Sequence, residues 1–325
     1  MNTSSLATRA FGALCLACTL LCAGQGRAVA QTAAASAPAA AVPTAAPAAF
    51  AGARFSEVSG GGGVPLNVVE LGDPALPPIL FIHGFRQSYL SWTQQFGSDL
   101  ATRCHLVAFD LRGHGNSGHP WQAEAYDSSR PWADDVAQVI ATLKLKDPLI
   151  VGWSFGGNVA MDFAALYPAV PVAGYLLTGT AGGTLAAPPP PKPPAGALPG
   201  PTASADLSRN ISAVEASIRM IFPNPALDKA LLAQFTAAAM RVGPWVDRAV
   251  AQRPRSATVP PLKAVTFASG GKDPLVGAAT VARLKDFFPG ARFVDFPAAG
   301  HAVFLDEAPA FNALLDELQC RRPGG

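Results

Sequence analysis

Charge is scarce in this chain. Among 325 residues there are 24 Lys or Arg and 22 Asp or Glu, so 14% are charged where a globular average is about 25%. That deficit excludes a charge-rich disordered protein, and a net charge of +2 is too small to imply nucleic acid as a partner. Histidine numbers five and cysteine five, and their placement gives no convincing cluster of metal ligands. Long apolar runs are missing too: the longest near the N-terminus, residues 10–23, is well short of the roughly 20 residues a helix needs to span a bilayer, so no permanent anchor is expected. Apolar residues nevertheless make up half of the chain, enough for a sizeable core.

The first 30 residues read as a secretory signal peptide. Arg9 is followed by the apolar stretch and then by Ala28-Val29-Ala30 ahead of Gln31, the three-part layout of an export signal. Residues 31–49 hold 11 Ala and 3 Pro and no charge, and are read as a disordered linker. The folded domain is expected over residues 50–325, periplasmic or secreted. Cys15, Cys18 and Cys22 leave with the signal, and Cys104 and Cys320 remain as a candidate disulfide in an oxidising compartment.

Past a Gly-rich turn at 60–63, short apolar strands alternate with helical spacing. Strands are expected at 66–71, 79–82, 106–109, 149–151, 175–177, 265–268 and 293–296, with helices at 88–102, 132–145, 158–167, 278–288 and 309–319. Buried strands separated by helices mean a parallel sheet covered on both faces. The rhythm breaks once, over residues 181–259. There a segment with eight prolines at 188–201 precedes three helical stretches at 207–222, 226–242 and 245–252, an insertion that looks like a lid. Its Met220, Phe222, Phe235, Met240 and Trp245 suggest a hydrophobic substrate, although such a stripe is more often core packing.

Gly152-Trp153-Ser154-Phe155-Gly156 falls at the junction of the 149–151 strand and the next helix. A serine on so sharp a turn takes unfavourable backbone angles, and flanking glycines let strand and helix approach. The motif alone is weak; its position at a strand–turn–helix junction is what the chemistry requires. A serine nucleophile needs a general base and a group that orients it. His301 is the only histidine downstream and follows the last strand. Asp273, in Gly271-Lys272-Asp273-Pro274, follows the strand before it. Asp295 and Asp306 are rivals that fit the order less well. All three chosen residues lie at carboxyl ends of strands, where open α/β sheets bind ligands. The oxyanion donors are expected to be the backbone N–H groups of Phe155 and, in His83-Gly84-Phe85, of Phe85. His83 is expected to brace its loop.

Together with Asp110-Leu111-Arg112-Gly113-His114-Gly115-Asn116-Ser117, these segments resemble the α/β-hydrolase superfamily, in the branch holding haloperoxidase-like esterases and epoxide hydrolases. The resemblance implies a mostly parallel eight-stranded sheet with helices on both faces and a helical lid, and a structural role for residues 110–117, His114 included. Epoxide hydrolases and dehalogenases of that branch use Asp as nucleophile, so Ser154 argues against both reactions. By the same resemblance Cys104 and Cys320 lie on one face at the bottom edge of the sheet, close enough for a disulfide. The expected activity is that of a carboxylesterase-like serine hydrolase without metal or organic cofactor, acting on a small uncharged or apolar substrate. Perhydrolysis, lactone opening and C–C cleavage use the same triad and stay open, as does a non-catalytic binding protein on this scaffold.

Overall fold

The computed structural model describes residues 48–182, 205–222, 227, 229–254, 262 and 264–321. The expected signal peptide, nearly all of the linker and the Pro-rich segment 188–201 lie outside the described residues. Phe50 is buried and meets Tyr89 edge-on at 5.0 Å.

Eight strands form one sheet: β1 Arg54–Ser59, β2 Pro65–Leu71, β3 Pro78–Ile82, β4 His105–Phe109, β5 Leu149–Trp153, β6 Gly174–Thr178, β7 Val265–Gly270 and β8 Arg292–Phe296. Their order is β1-β2-β4-β3-β5-β6-β7-β8. β2 runs antiparallel to both β1 and β4, and the other pairs are parallel. Alternate residues enter opposite faces, as the pleat demands. Ile79, Phe81, Leu106, Ala108 and Val151 join Trp92, Phe96, Phe304 and Phe311 on one side. Leu80, Ile82, Val107, Phe109 and Ile150 join Trp132, Val136, Val159 and Phe163 on the other. Strands apolar on both faces can be satisfied only by two covering layers.

Those layers come from α1 Thr93–Phe96, α2 Ser129–Thr142, α3 Phe155–Leu166, α7 Ala278–Phe287, α8 Val303–Asp306 and α9 Ala308–Leu315, while α4 Leu207–Ile221, α5 Lys229–Met240 and α6 Pro244–Gln252 form the insertion between β6 and β7. Phe222 and Phe235 of the insertion are buried and stacked at 4.8 Å, with Phe222 5.6 Å from the Trp153 ring, so these two are core packing. Met220 is exposed, and Trp245 stacks on Trp121 at 4.0 Å.

Two expectations need correction. The helix expected over 88–102 is a chain of short turns: a 3-10 turn Tyr89–Trp92, α1, and a second 3-10 turn Asp99–Thr102. Hydroxyls there compete with the helix for backbone groups: Thr93 Oγ1 donates to the Leu90 carbonyl, and Ser98 Oγ accepts from the Leu100 N–H at 3.2 Å, restarting the chain after Gly97. The last helix is α only to Leu315 and then loosens into a π-helical turn, Asp316–Cys320. The eighth strand, which the sequence did not place, is β1; only Val58 of its six residues is buried, so it shows no apolar pattern.

Cys104, just before β4, and Cys320 are disulfide-bonded, with Cα atoms 5.4 Å apart. Arg103 and Arg321 both reach Asp316 beside this bond. The junction lies at the amino end of β4, the sheet edge opposite the carboxyl ends.

Candidate active site

Ser154 stands at φ 52°, ψ −117°, outside any region an L-residue favours. Two glycines permit the bend. A Cβ on Gly156 would collide with the carbonyl oxygens of Ile82 and His83, and one on Gly152 would lie 2.8 Å from the Gly156 carbonyl. The start of α3 is therefore pressed against the end of β3. The Ser154 N–H is held by the Thr178 carbonyl at 2.9 Å, across the β5–β6 pair.

His301 and Asp273 arrive from the turns after β8 and β7. The His301 Nδ1–H donates to the Asp273 carboxylate, 2.9 and 3.0 Å from its two oxygens, and both side chains are buried. Burial works to raise the Asp273 pKa; the hydrogen bond and charge of His301, with the N–H groups of Val276 and Leu275, outweigh it and hold the carboxyl below its ordinary value. The ionised carboxylate can only accept, so the proton sits on Nδ1 and leaves Nε2 as the basic nitrogen. Trp153 Nε1 donates to the His301 carbonyl at 3.0 Å, tying the residue before Ser154 to the histidine loop. The rivals lie elsewhere: Asp295 is exposed on β8, and Asp306 Oδ2 accepts the Gly300 N–H at 2.8 Å.

The loop after β3 faces this elbow. The Phe85 and Phe155 rings meet edge-on at 5.6 Å. The Phe155 N–H is the first of α3 and has no partner within the helix. His83 is fully buried; its Nδ1–H donates to the Gly84 carbonyl at 2.7 Å and its Nε2 accepts the Leu111 N–H at 2.9 Å. Burial pushes its pKa down to about 4, which keeps it the neutral acceptor this bond needs. His114 bonds the Arg112 carbonyl, 2.8 Å away, and Asp110 accepts from Asn67 Nδ2 and from the N–H groups of Tyr89 and Asn116. Burial raises the Asp110 pKa to about 6 against those three donors. Residues 110–117 thus form a braced loop beside the site. β3 and β5 are neighbours whose successors, β4 and β6, lie on opposite sides, so Ser154 and Phe85 flank the switch point of the sheet.

Residues 77–308, more than half of the chain, match the family model described as the alpha/beta hydrolase fold. The chain belongs to the α/β-hydrolase family. Over 111 residues it is 36% identical to a bifunctional esterase/perhydrolase of Acinetobacter calcoaceticus, covering 34% of its own length and 39% of the relative's. Over 105 residues it is 39% identical to epoxide hydrolase A of Mycobacterium tuberculosis, 32% of each chain. It spans about a third of the length of the curated relatives it matches. A solved structure from Burkholderia cenocepacia bearing the assignment aryl esterase superposes with TM-score 0.71 at 30% identity, over 81% of this chain and 97% of that one. An esterase from a Rhodococcus species follows at TM-score 0.67 and 25% identity, with the same coverage.

Other polar residues at this edge of the sheet had no signal in the sequence. Arg86 Nε donates to Asp247 Oδ1 at 3.0 Å across 161 residues. Arg253 pairs with Asp162 on α3, and its guanidinium lies 5.6 Å from the centre of the Phe155 ring. Burial lowers the Arg253 pKa to about 10. Ion pairs between residues so far apart leave no local pattern to read.

Proposed function

We propose that the chain is a serine hydrolase that cleaves a carboxylic ester through an acyl-enzyme. The observation that carries this is Ser154 at a strained elbow together with the buried Asp273–His301 pair. His301 Nε2 takes the hydroxyl proton as Ser154 Oγ attacks the carbonyl, and Asp273 stabilises the imidazolium and fixes its tautomer. The N–H groups of Phe85 and Phe155 hold the oxyanion. His301 then protonates the leaving alcohol and next activates the water that releases the acid. Relatives named epoxide hydrolases share the fold, but a hydroxyl at position 154 gives an acyl ester, which suits a carbonyl substrate. The Phe85 and Phe155 rings beside Ser154 support an uncharged, apolar acyl group, and the helices between β6 and β7 support a lid. The leader-like residues 1–30 and the Cys104–Cys320 bond support export.

A fluorophosphonate should label Ser154 in the folded protein and fail to label Ser154→Ala. Absence of labelling in folded wild type would overturn the reading. Activity across an acyl-chain series of aryl esters should favour one chain length; a flat null there, with labelling intact, would shift the substrate to another acyl bond. Export is tested by N-terminal sequencing of protein recovered outside the cytoplasm, expected to begin at Gln31.

A further inference from the structure

α6 touches both segments that carry the oxyanion donors. Asp247, in its first turn, grips Arg86, the residue directly after Phe85, through Nε at 3.0 Å and through Nη2. Arg253, just past its last residue, pairs with Asp162 on the helix that Phe155 opens, donates to Ser129 Oγ at 3.0 Å and lies over the Phe155 ring. One helix of the insertion is thereby pinned at its two ends to the two donor-bearing segments.

The backbone at Arg86 shows why the first contact matters. The Gln87 N–H closes a turn onto the Gly84 carbonyl at 3.2 Å, which puts Arg86 in the third position, at φ 61°. Glycine or asparagine is the usual occupant of a turn position at positive φ. An arginine there is strained, and strain of this kind persists only where the surroundings over-determine it. The guanidinium is what the strained residue adds: it bonds Asp247 through two nitrogens and its carbon sits 6.0 Å from the Phe85 ring.

We propose that Arg86 and Asp247 are positioning residues that hold the Phe85 N–H in its oxyanion geometry, with Arg253 and Asp162 bracing the Phe155 side. This rests on Phe85 and Phe155 being the oxyanion donors. An oxyanion donor binds the developing negative charge more tightly than the ground-state carbonyl, so loosening it falls on kcat rather than on KM. Asp247→Asn keeps the size of the side chain and removes its charge. It should lower kcat at least tenfold with KM within twofold, and Asp247→Glu should recover most of the loss. Arg86→Gly separates the two roles of Arg86, because glycine accepts the positive φ but has no guanidinium; it should lose kcat as Asp247→Asn does. Amide hydrogen exchange over residues 84–88 should quicken in both variants, a readout that needs no substrate. Wild-type kcat in either variant, a loss carried by KM alone, or unchanged exchange would overturn the proposal. Failure of the serine-hydrolase reading is recognised separately, by wild type that does not label at Ser154.

Discussion

Replacing both disulfide cysteines by alanine should cost the fold several kcal/mol and the chemistry almost nothing. The two sulfurs join residues 216 positions apart, so the cross-link closes most of the unfolded chain into one loop. Loop-closure entropy for that length gives about 5 kcal/mol at 25 °C in the chain-entropy model, near the top of what disulfides deliver. The domain expected over residues 50–325 unfolds with roughly 0.6 kcal/mol/K of entropy, so the melting temperature should fall by about 9 °C. In the native state the same two segments are also held by Arg103 Nε on Asp316 at 2.9 Å and Arg321 on the same carboxylate, so cutting the bond should not release them. The effect therefore resides in the unfolded chain.

Thermal denaturation of Cys104→Ala/Cys320→Ala against wild type, paired with kcat at 25 °C, tests this. Cys104 lies before the amino end of β4, and that five-residue strand carries the chain about 16 Å toward the edge that holds the candidate site. A melting shift under about 2 °C would refute the entropy argument. A tenfold loss of kcat at 25 °C would refute the separation of the bond from the site.

Asp273→Asn should lower kcat about 10³–10⁴-fold with the fold intact, because the amide no longer fixes the Nδ1–H tautomer of His301; a loss under tenfold on an aryl ester would count against the pair. Acid should weaken the fold through His83. Its pKa is about 4 folded against 6.5 unfolded, so the unfolded chain binds the extra proton between those values. The stability is complete above pH 6.5 and lost as pH falls toward 4, by about 3 kcal/mol in all. Urea midpoints at pH 7 and pH 4.5 should show it, with a flatter profile in His83→Gln. Gly156→Ala should destabilise by several kcal/mol, since the new methyl meets backbone carbonyls that cannot swing away; a variant melting like wild type would refute the close packing of α3 on β3.

The candidate triad could be picked out because the chemistry proposed for it restricts residue type and place together. A serine between glycines at a strand end, an aspartate after the next-to-last strand and a lone histidine after the last leave few rivals, and the structure brings Asp273 rather than Asp295 or Asp306 to His301. The central strands were legible because they are apolar on both faces. What was hidden lacked such a rule. β1 is an edge strand with one buried residue, and residues 88–102 carry helix-compatible apolar spacing whose serine and threonine hydroxyls divert the backbone. The clamps of α6 join residues 161 and 91 apart, and nothing in either neighbourhood marks them.

The scarcity of charge has a counterpart inside the protein. Burying a carboxylate without a partner is costly enough that it would rather take a proton, yet Glu70, Asp110, Asp135, Asp162, Asp273 and Asp316 are all buried. Each has its partner: His105, three amide donors, Arg112, Arg253, His301 and Arg103 in turn. Hydrophobic burial is non-directional and can build the sheet, but it does not fix the heading of a loop at a strand end. A charged hydrogen bond is short and directional. Asp135–Arg112, Asp162–Arg253 and Asp273–His301 each fasten a loop or helix end on the side of the candidate site, whereas Asp316–Arg103 fastens the opposite one. A chain poor in charge and an interior that keeps its acids are thus two sides of one allocation, in which buried charge serves to orient what the apolar core cannot.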